Sequence, residues 1–324
     1  MGKGADNREN TKYMNDLEQQ IESLLLSQKK DWKLACDNYA SLTHVQTRCF
    51  EGDSRLTILQ FNPERIRSSA AKIDKASLEA RPCFFCHRPE EQKSVVFNDL
   101  FEILVNPYPI FNDHLTVPLR RHEKQQIAPY YGDMLDLASA LPGYALFYNG
   151  PKCGASAPDH MHFQAGRRGG FPIVESWAEA SKAIVREGDR TRLYALSDHL
   201  PTAFILVSAD KAEAVEVFTL LYNEMDVKPG DYEPMMNVLT WTEGDSRITC
   251  VFPRRELRPS CYYAEGDDNI LISPATVEMS GLFVVPLEKD FRKVTYADLE
   301  KVWREVGITE AEKNEIIRKI REKV

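Results

Sequence analysis

No run in this chain of 324 residues approaches the roughly 18 consecutive apolar residues of a membrane helix, so no membrane span is expected. The first ten residues, Met1 to Asn10, are polar and charged without an apolar stretch. No secretory signal is expected there, and the cytoplasm is the default location. A basic excess is also missing: 41 Lys and Arg against 49 Asp and Glu leave a net charge of −8. Without a basic field to neutralise a phosphate backbone, no nucleic-acid partner is expected, although a local basic pocket can still hold a small anion. Cysteine is sparse. Cys36, Cys49, Cys83, Cys86, Cys153, Cys250 and Cys261 form an odd, scattered set rather than a disulfide framework. Five of them are expected to be buried or inert, and only Cys83 and Cys86 have a suggestive spacing.

What is present is an ordinary globular composition, 43% hydrophobic and 28% charged, with a length that suits two domains or one duplicated fold. Residues 11–48 read as helix, with Leu17, Ile21, Leu24 and Leu25 at helical spacing. A β-like run, Leu56 to Leu59, follows a turn, and Ile66 to Ala80 is a polar approach to the next block. Short strands are expected at 94–97, 101–105, 115–118, 145–148 and 160–165, with a helix over 124–141 in which Pro129 is awkward. Strands at 202–207, 237–241, 248–253 and 282–286, a helix over 211–224 and a helical, charged end over 295–323 loosely echo that order. The reading is an α+β chain of antiparallel sheets with packed helices, divided at residues 1–75, 76–190 and 191–324.

Four elements carry chemistry. Cys83-Phe84-Phe85-Cys86 can grip one zinc ion, but a lone pair is more simply two core thiols. His122 follows a strand, where a surface histidine is the usual reading. Asn149 to Ser156, with Lys152, Gly154 and Ser156, can offer backbone N–H groups to a phosphate or be an ordinary turn. In His160-Met161-His162-Phe163-Gln164, strand alternation puts two histidines and a glutamine on one face and Met161 and Phe163 in a core. Such a polar stripe is costly without partners, which favours function for the set.

The His-x-His-x-Gln stripe resembles the signature of the galactose-1-phosphate uridylyltransferase branch of the histidine triad superfamily. So do the segments leading into it, Phe147 to Gly150 and Gly154 to Ser156, and the order Cys83 to Cys86, then Asn98-Asp99, then the strand ending at His122. The resemblance spans roughly residues 80–168. A fainter one, at Asn237 to Leu239 and Val251 to Arg254, is to the second half of diadenosine tetraphosphate phosphorylases and GDP-hexose phosphorylases. The chain as a whole resembles a bacterial family of this branch. Ser156 and His160 are one residue further apart than in the uridylyltransferases, so the loop over the phosphate is reshaped.

The resemblance implies two HIT-like halves, the first of them catalytic. It implies His162 as the nucleophile that forms a nucleotidyl-histidine, and Gln164 as a hydrogen-bond donor to the phosphoryl group. Asn98 and Asp99 would hold ribose and base; Asn149, Lys152, Gly154 and Ser156 would serve the phosphates. Cys83, Cys86, His122 and His160 would hold a structural zinc. The substrate would be a nucleotide-sugar or a dinucleoside polyphosphate, and the acceptor inorganic phosphate or a sugar 1-phosphate. Arg167 and Arg168 could draw in that second anion. The alternatives are uridylyl-type transfer between sugar phosphates, a nucleotide hydrolase, and a nucleotide-binding protein without turnover. Gln164, in place of the third histidine of hydrolytic relatives, favours a phosphorylase or transferase.

Overall fold

The computed structural model describes residues 16–52, 55–66, 81–197 and 200–323. The start of the expected N-terminal helix and most of the Ile66 to Ala80 approach lie outside these residues. Two helices, α1 (Asp16–Asp31) and α2 (Lys33–Ser41), replace the single long one, and the chain then enters a hairpin, β1 (Gln46–Gly52) and β2 (Arg55–Phe61).

The body is one ten-stranded sheet. Its first five strands are β3 (Ser94–Phe97), β4 (Phe101–Val105), β5 (Leu115–Pro118), β6 (Tyr144–Asn149) and β7 (His162–Arg167). The other five are β8 (Lys182–Glu187), β9 (Thr191–Leu196), β10 (Phe204–Ser208), β11 (Met236–Glu243) and β12 (Ser246–Pro253). The spatial order is β3-β4-β5-β7-β6-β11-β12-β10-β9-β8. Each set of five follows the same path, and each sends a helix from its third strand to its fourth: α3 (Tyr131–Ala140) after β5, α4 (Lys211–Glu224) after β10. The equivalent strands β6 and β11 meet antiparallel, with Asn149 opposite Asn237 and Phe147 opposite Leu239. This is a pseudo-two-fold arrangement. The hairpin β8–β9 was not visible in the sequence, and the boundary expected at 190/191 falls inside it.

Side-chain alternation divides the core by sheet face rather than by half. On one face Leu146, Tyr148, Phe163, Phe204 and Val238 pack with α1, α2, α3, α4 and the last helix, α7 (Glu310–Arg321). On the other face Phe147, Ile205, Leu239, Cys250 and Phe252 pack with a small sheet in which β13 (Leu282–Val285) runs parallel to β2, and with α5 (Glu288–Lys293) and α6 (Tyr296–Val306). The segment expected to be an N-terminal extension thus contributes to both layers. Met161 and Phe163 lie in the helical core, as alternation predicted.

Three elements differ from expectation for physical reasons. The helix read over 124–141 begins only at Tyr131, because Pro129 has no N–H to continue a helix and sits in a 3-10 turn. This frees residues 122–127 to cross the sheet end. Strand β7 begins at His162, so His160 lies in the turn before it. The C-terminal helical segment breaks at Gly307 into α6 and α7, each opened by a threonine capping box, Thr295 with Asp298 and Thr309 with Glu312. Of the remaining cysteines, Cys153 and Cys250 are buried, whereas Cys36 and Cys49 are exposed. Among the described residues no helix is long and apolar enough to cross a membrane.

Candidate active site

At one end of the first five strands, four side chains from three segments converge. The Cys83 Sγ lies 3.2 Å from His160 Nδ1, and the Cys86 Sγ lies 3.3 Å from His122 Nδ1 and 3.6 Å from His160 Nδ1. All four ligand atoms fall within 4.8 Å of one another. Bond lengths around tetrahedral zinc put sulfur and nitrogen ligands about 3.5 Å apart, so the set has the size of a closed two-sulfur, two-nitrogen site. His160 Nε2 lies 2.7 Å from the Leu119 carbonyl, which can only accept, so Nε2 is protonated and Nδ1 turns its lone pair to the thiols. The cluster can hold one metal ion.

The same turn positions His162. Its Nδ1–H donates to the His160 carbonyl at 2.8 Å, which leaves Nε2 as the unprotonated nitrogen. Burial lowers its pKa to about 4, so the ring is neutral. The ring of Phe85, between the two cysteines, rests 5.0 Å from the His162 ring and 5.3 Å from that of His160.

Gln164 is oriented by a residue that sequence reasoning missed. The Ile110 N–H donates to His114 Nδ1 at 3.1 Å, so His114 carries its proton on Nε2 and donates it to Gln164 Oε1 at 3.0 Å. Burial, then the charge of Arg65, lowers the His114 pKa to about 3 and keeps it neutral. With Oε1 occupied, Gln164 presents its amide hydrogens.

A second missed residue is Gln125. The β6–β7 ladder ends at Phe147 opposite Gln164; continued in register, Tyr148 would face Phe163 and Asn149 would face His162. There the strands part, and the buried amide of Gln125 bridges them. Its Oε1 accepts from His162 N–H at 2.8 Å, and its Nε2 donates to the carbonyls of His162 and Asn149, each at 3.0 Å. In the sequence Gln125 reads as one polar residue at a helix start, and no local pattern marks it. Gln125→Met should cost about 3 kcal/mol of stability, since three buried backbone groups lose their partner, and should lower kcat at least about tenfold by loosening His162. Denaturant unfolding and steady-state kinetics check this; a variant normal in both would leave the clamp without a role.

The remaining expected residues divide. Asn98 and Asp99 form the exposed tip of the β3–β4 hairpin at the same sheet end, with φ of 51° and 53°. Arg120 braces this tip by donating to the Asp99 carbonyl. Asn149 is largely structural: its Oδ1 accepts from Thr276 N–H at 2.8 Å, Thr276 Oγ1 at 2.7 Å and Asn237 Nδ2 at 3.0 Å. Gly154 has φ of 95°, and a Cβ there would come within 2.6 Å of Ala275 Cβ, so the loop can approach the second half only with glycine. Lys152 pairs with Asp231 at 2.5 Å, and Ser156 is exposed. Arg254 backs the loop from the second half, donating to Asn237 Oδ1, Pro274 O, Val306 O, Glu256 O and Leu257 O. Arg167 and Arg168 are engaged elsewhere. Arg167 pairs with Asp113 at 2.8 Å and lies over the Tyr144 ring, on the face opposite Gln164, while Arg168 donates to the Thr242 carbonyl. The expectation that they draw a second anion into the site therefore does not fit.

A family model described as a domain of unknown function, DUF4922, matches residues 24–167. No curated protein is detectably similar in sequence. Among solved structures, yeast Ap4A phosphorylase Apa2 in complex with Ap4A is similar with a TM-score of 0.64 at 16% identity, over 91% of this chain and 98% of that one. Its complex with AMP gives 0.61 at 16% identity, over 90% and 96%. The HIT-like α+β architecture expected from the sequence is thus the observed one, and the chain shares the fold of yeast Ap4A phosphorylase over nearly its whole length.

Proposed function

We propose that this chain is a nucleotidyltransferase of the phosphorylase type, acting on a dinucleoside polyphosphate or a nucleotide-sugar through a nucleotidyl-histidine at His162. The observation that carries this reading is the pair of fixed proton positions. His162 has a bare Nε2 and a protonated Nδ1, and Gln164 has an occupied oxygen and free amide hydrogens. The first is a nucleophile and the second donates hydrogen bonds without giving up a proton. Nε2 attacks the α-phosphorus as the P–O bond to the leaving phosphate breaks. The His162 ring becomes positively charged, and its Nδ1–H bond to the His160 carbonyl strengthens as it does. An oxygen of inorganic phosphate then attacks the same phosphorus, the P–N bond breaks, and a nucleoside diphosphate leaves with His162 neutral again.

The shared fold supports a dinucleoside polyphosphate as first choice, since the yeast enzyme of this fold was crystallised with Ap4A. Zinc is the metal that best suits two thiolates and two imidazoles, and its role would be structural, with no position left open. Asn98, Asp99, Lys152 and Ser156 would meet the nucleotide from the rim.

The test is to incubate the protein with dinucleoside polyphosphates and nucleotide-sugars while varying phosphate. A nucleoside diphosphate that appears only with phosphate is the expected result. A monophosphate formed equally well without phosphate would make the protein a hydrolase.

A further inference from the structure

Beside Gln164, on the flank away from Asn149, lies a group of donors that the reading above leaves without a role. Thr116 is the register partner of Gln164 on β5, so the two side chains leave the same face as neighbours. Asn106 Nδ2 donates to Thr116 Oγ1 at 2.9 Å, and the hydroxyl's own proton has no acceptor among the described residues. Neither have the amide hydrogens of Gln164. Arg65, partly buried, ends the turn that follows β2. Its Nη1 donates to the Tyr108 carbonyl at 2.7 Å, two residues before the Ile110 N–H that orients His114. Burial lowers the Arg65 pKa, and its charge bears directly on His114, which touches Gln164. Among the described residues Arg65 forms no ion pair; the buried Glu278 is near enough to feel its charge but not to contact it. A partly buried cation without a counter-ion among the described residues, beside donors without acceptors, is favourable around an oxyanion.

We infer that Arg65 and Thr116, on the far side of Gln164 from the attacked phosphorus, form a subsite for the phosphate group next to the one that His162 attacks, while Gln164 serves the attacked group. In a double displacement the departing phosphate and the arriving one occupy the same place, in line with His162 and the phosphorus. The subsite therefore takes a tetrahedral phosphate from two sources in turn: the second phosphate of the bound nucleotide, then free orthophosphate. This rests on the phosphorolytic reading for its second half only. A planar guanidinium suits the role because it grips two oxygens at once and stays charged when desolvated.

The experiment compares wild type with Arg65→Gln, Arg65→Lys and Thr116→Val. Equilibrium binding of AMP and ADP is measured by calorimetry, and the KM for orthophosphate by kinetics. AMP reaches only the attacked position and so also reports folding. In Arg65→Gln the affinity for ADP should fall about tenfold and the phosphate KM rise by a similar factor, the effect of losing one charge-assisted hydrogen bond, with AMP affinity unchanged. Arg65→Lys should recover part of both, and Thr116→Val should show the same pattern more weakly. Equal losses for AMP and ADP, or no change for either, would overturn the subsite. If wild type shows no phosphorolysis but the ADP-specific loss persists, the subsite stands and the phosphorylase reading falls.

Discussion

His162→Gly should fold as the parent does and lose nucleotidyl transfer by about four orders of magnitude or more, as removal of a covalent nucleophile does elsewhere. The buried His162 ring lies 5.0 Å from that of Phe85, but the residue's backbone is held by Gln125 regardless of side chain, so the strand end has other supports. Free imidazole can enter the space left and should restore a measurable fraction of the rate. The pH profile of the parent gives a companion reading. Burial lowers the His162 pKa to about 4, so the nucleophile stays neutral well below the usual histidine value, and the acid limb of kcat/KM should lie near that lower value. The sign for stability is the same. The unfolded chain protonates this histidine below about 6.5 while the folded chain does not, so its contribution is present above that pH and is lost as pH falls towards about 4. Near-normal turnover in His162→Gly, measured under saturating substrate, would remove the covalent mechanism.

The second large effect is expected on loss of the metal. Protein purified without chelator should carry about one zinc per chain, as a single closed four-ligand site requires. Stripping it, or replacing Cys83 by serine, should lower the melting temperature by about 10 °C, the shift that several kcal/mol gives in a chain of this size. The cluster joins the Cys83–Cys86 turn, the end of β5 through His122 and the start of β7 through His160, and thiol–imidazole contacts bring the four ligands together. Activity should fall further than stability alone explains, chiefly in kcat. The carbonyl that fixes the His162 tautomer belongs to His160, and the Phe85 ring against His162 sits between the two cysteines. A metal-free preparation with full thermal stability and full kcat would demote the four residues to core and surface positions.

How legible the site was depended on range. Cys83 with Cys86, and His160 with His162 and Gln164, stand close in sequence, and their spacing alone implies shared chemistry. His122 joined them through the family resemblance, and the structure brings its ring to the same cluster. Gln125, His114 and Arg65 were not legible, because each acts through a partner 37, 50 or 43 residues away, His162, Gln164 and Tyr108 respectively. A glutamine that replaces a missing rung between two strands has no pattern of its own. Asn149 is the reverse case. It stood in the right motif, but three donors from the second half occupy its oxygen.

By itself the sequence determined the local elements. Period-two alternation marks β7 and its polar face, helical spacing marks α1, and Gly244 closes the β11–β12 hairpin at a φ of 56°. These depend on neighbouring residues, whose sterics and burial a short window contains. Only the tertiary structure decided that β6 and β11 pair to make one sheet, that the core divides by face, and that a turn after β2 brings Arg65 to the Tyr108 carbonyl, two residues from the N–H that orients His114. Backbone hydrogen bonds between strands are chemically alike whatever residues carry them. Which strands meet is therefore settled by burying all the apolar faces at once, a condition on the whole chain that no segment of it states.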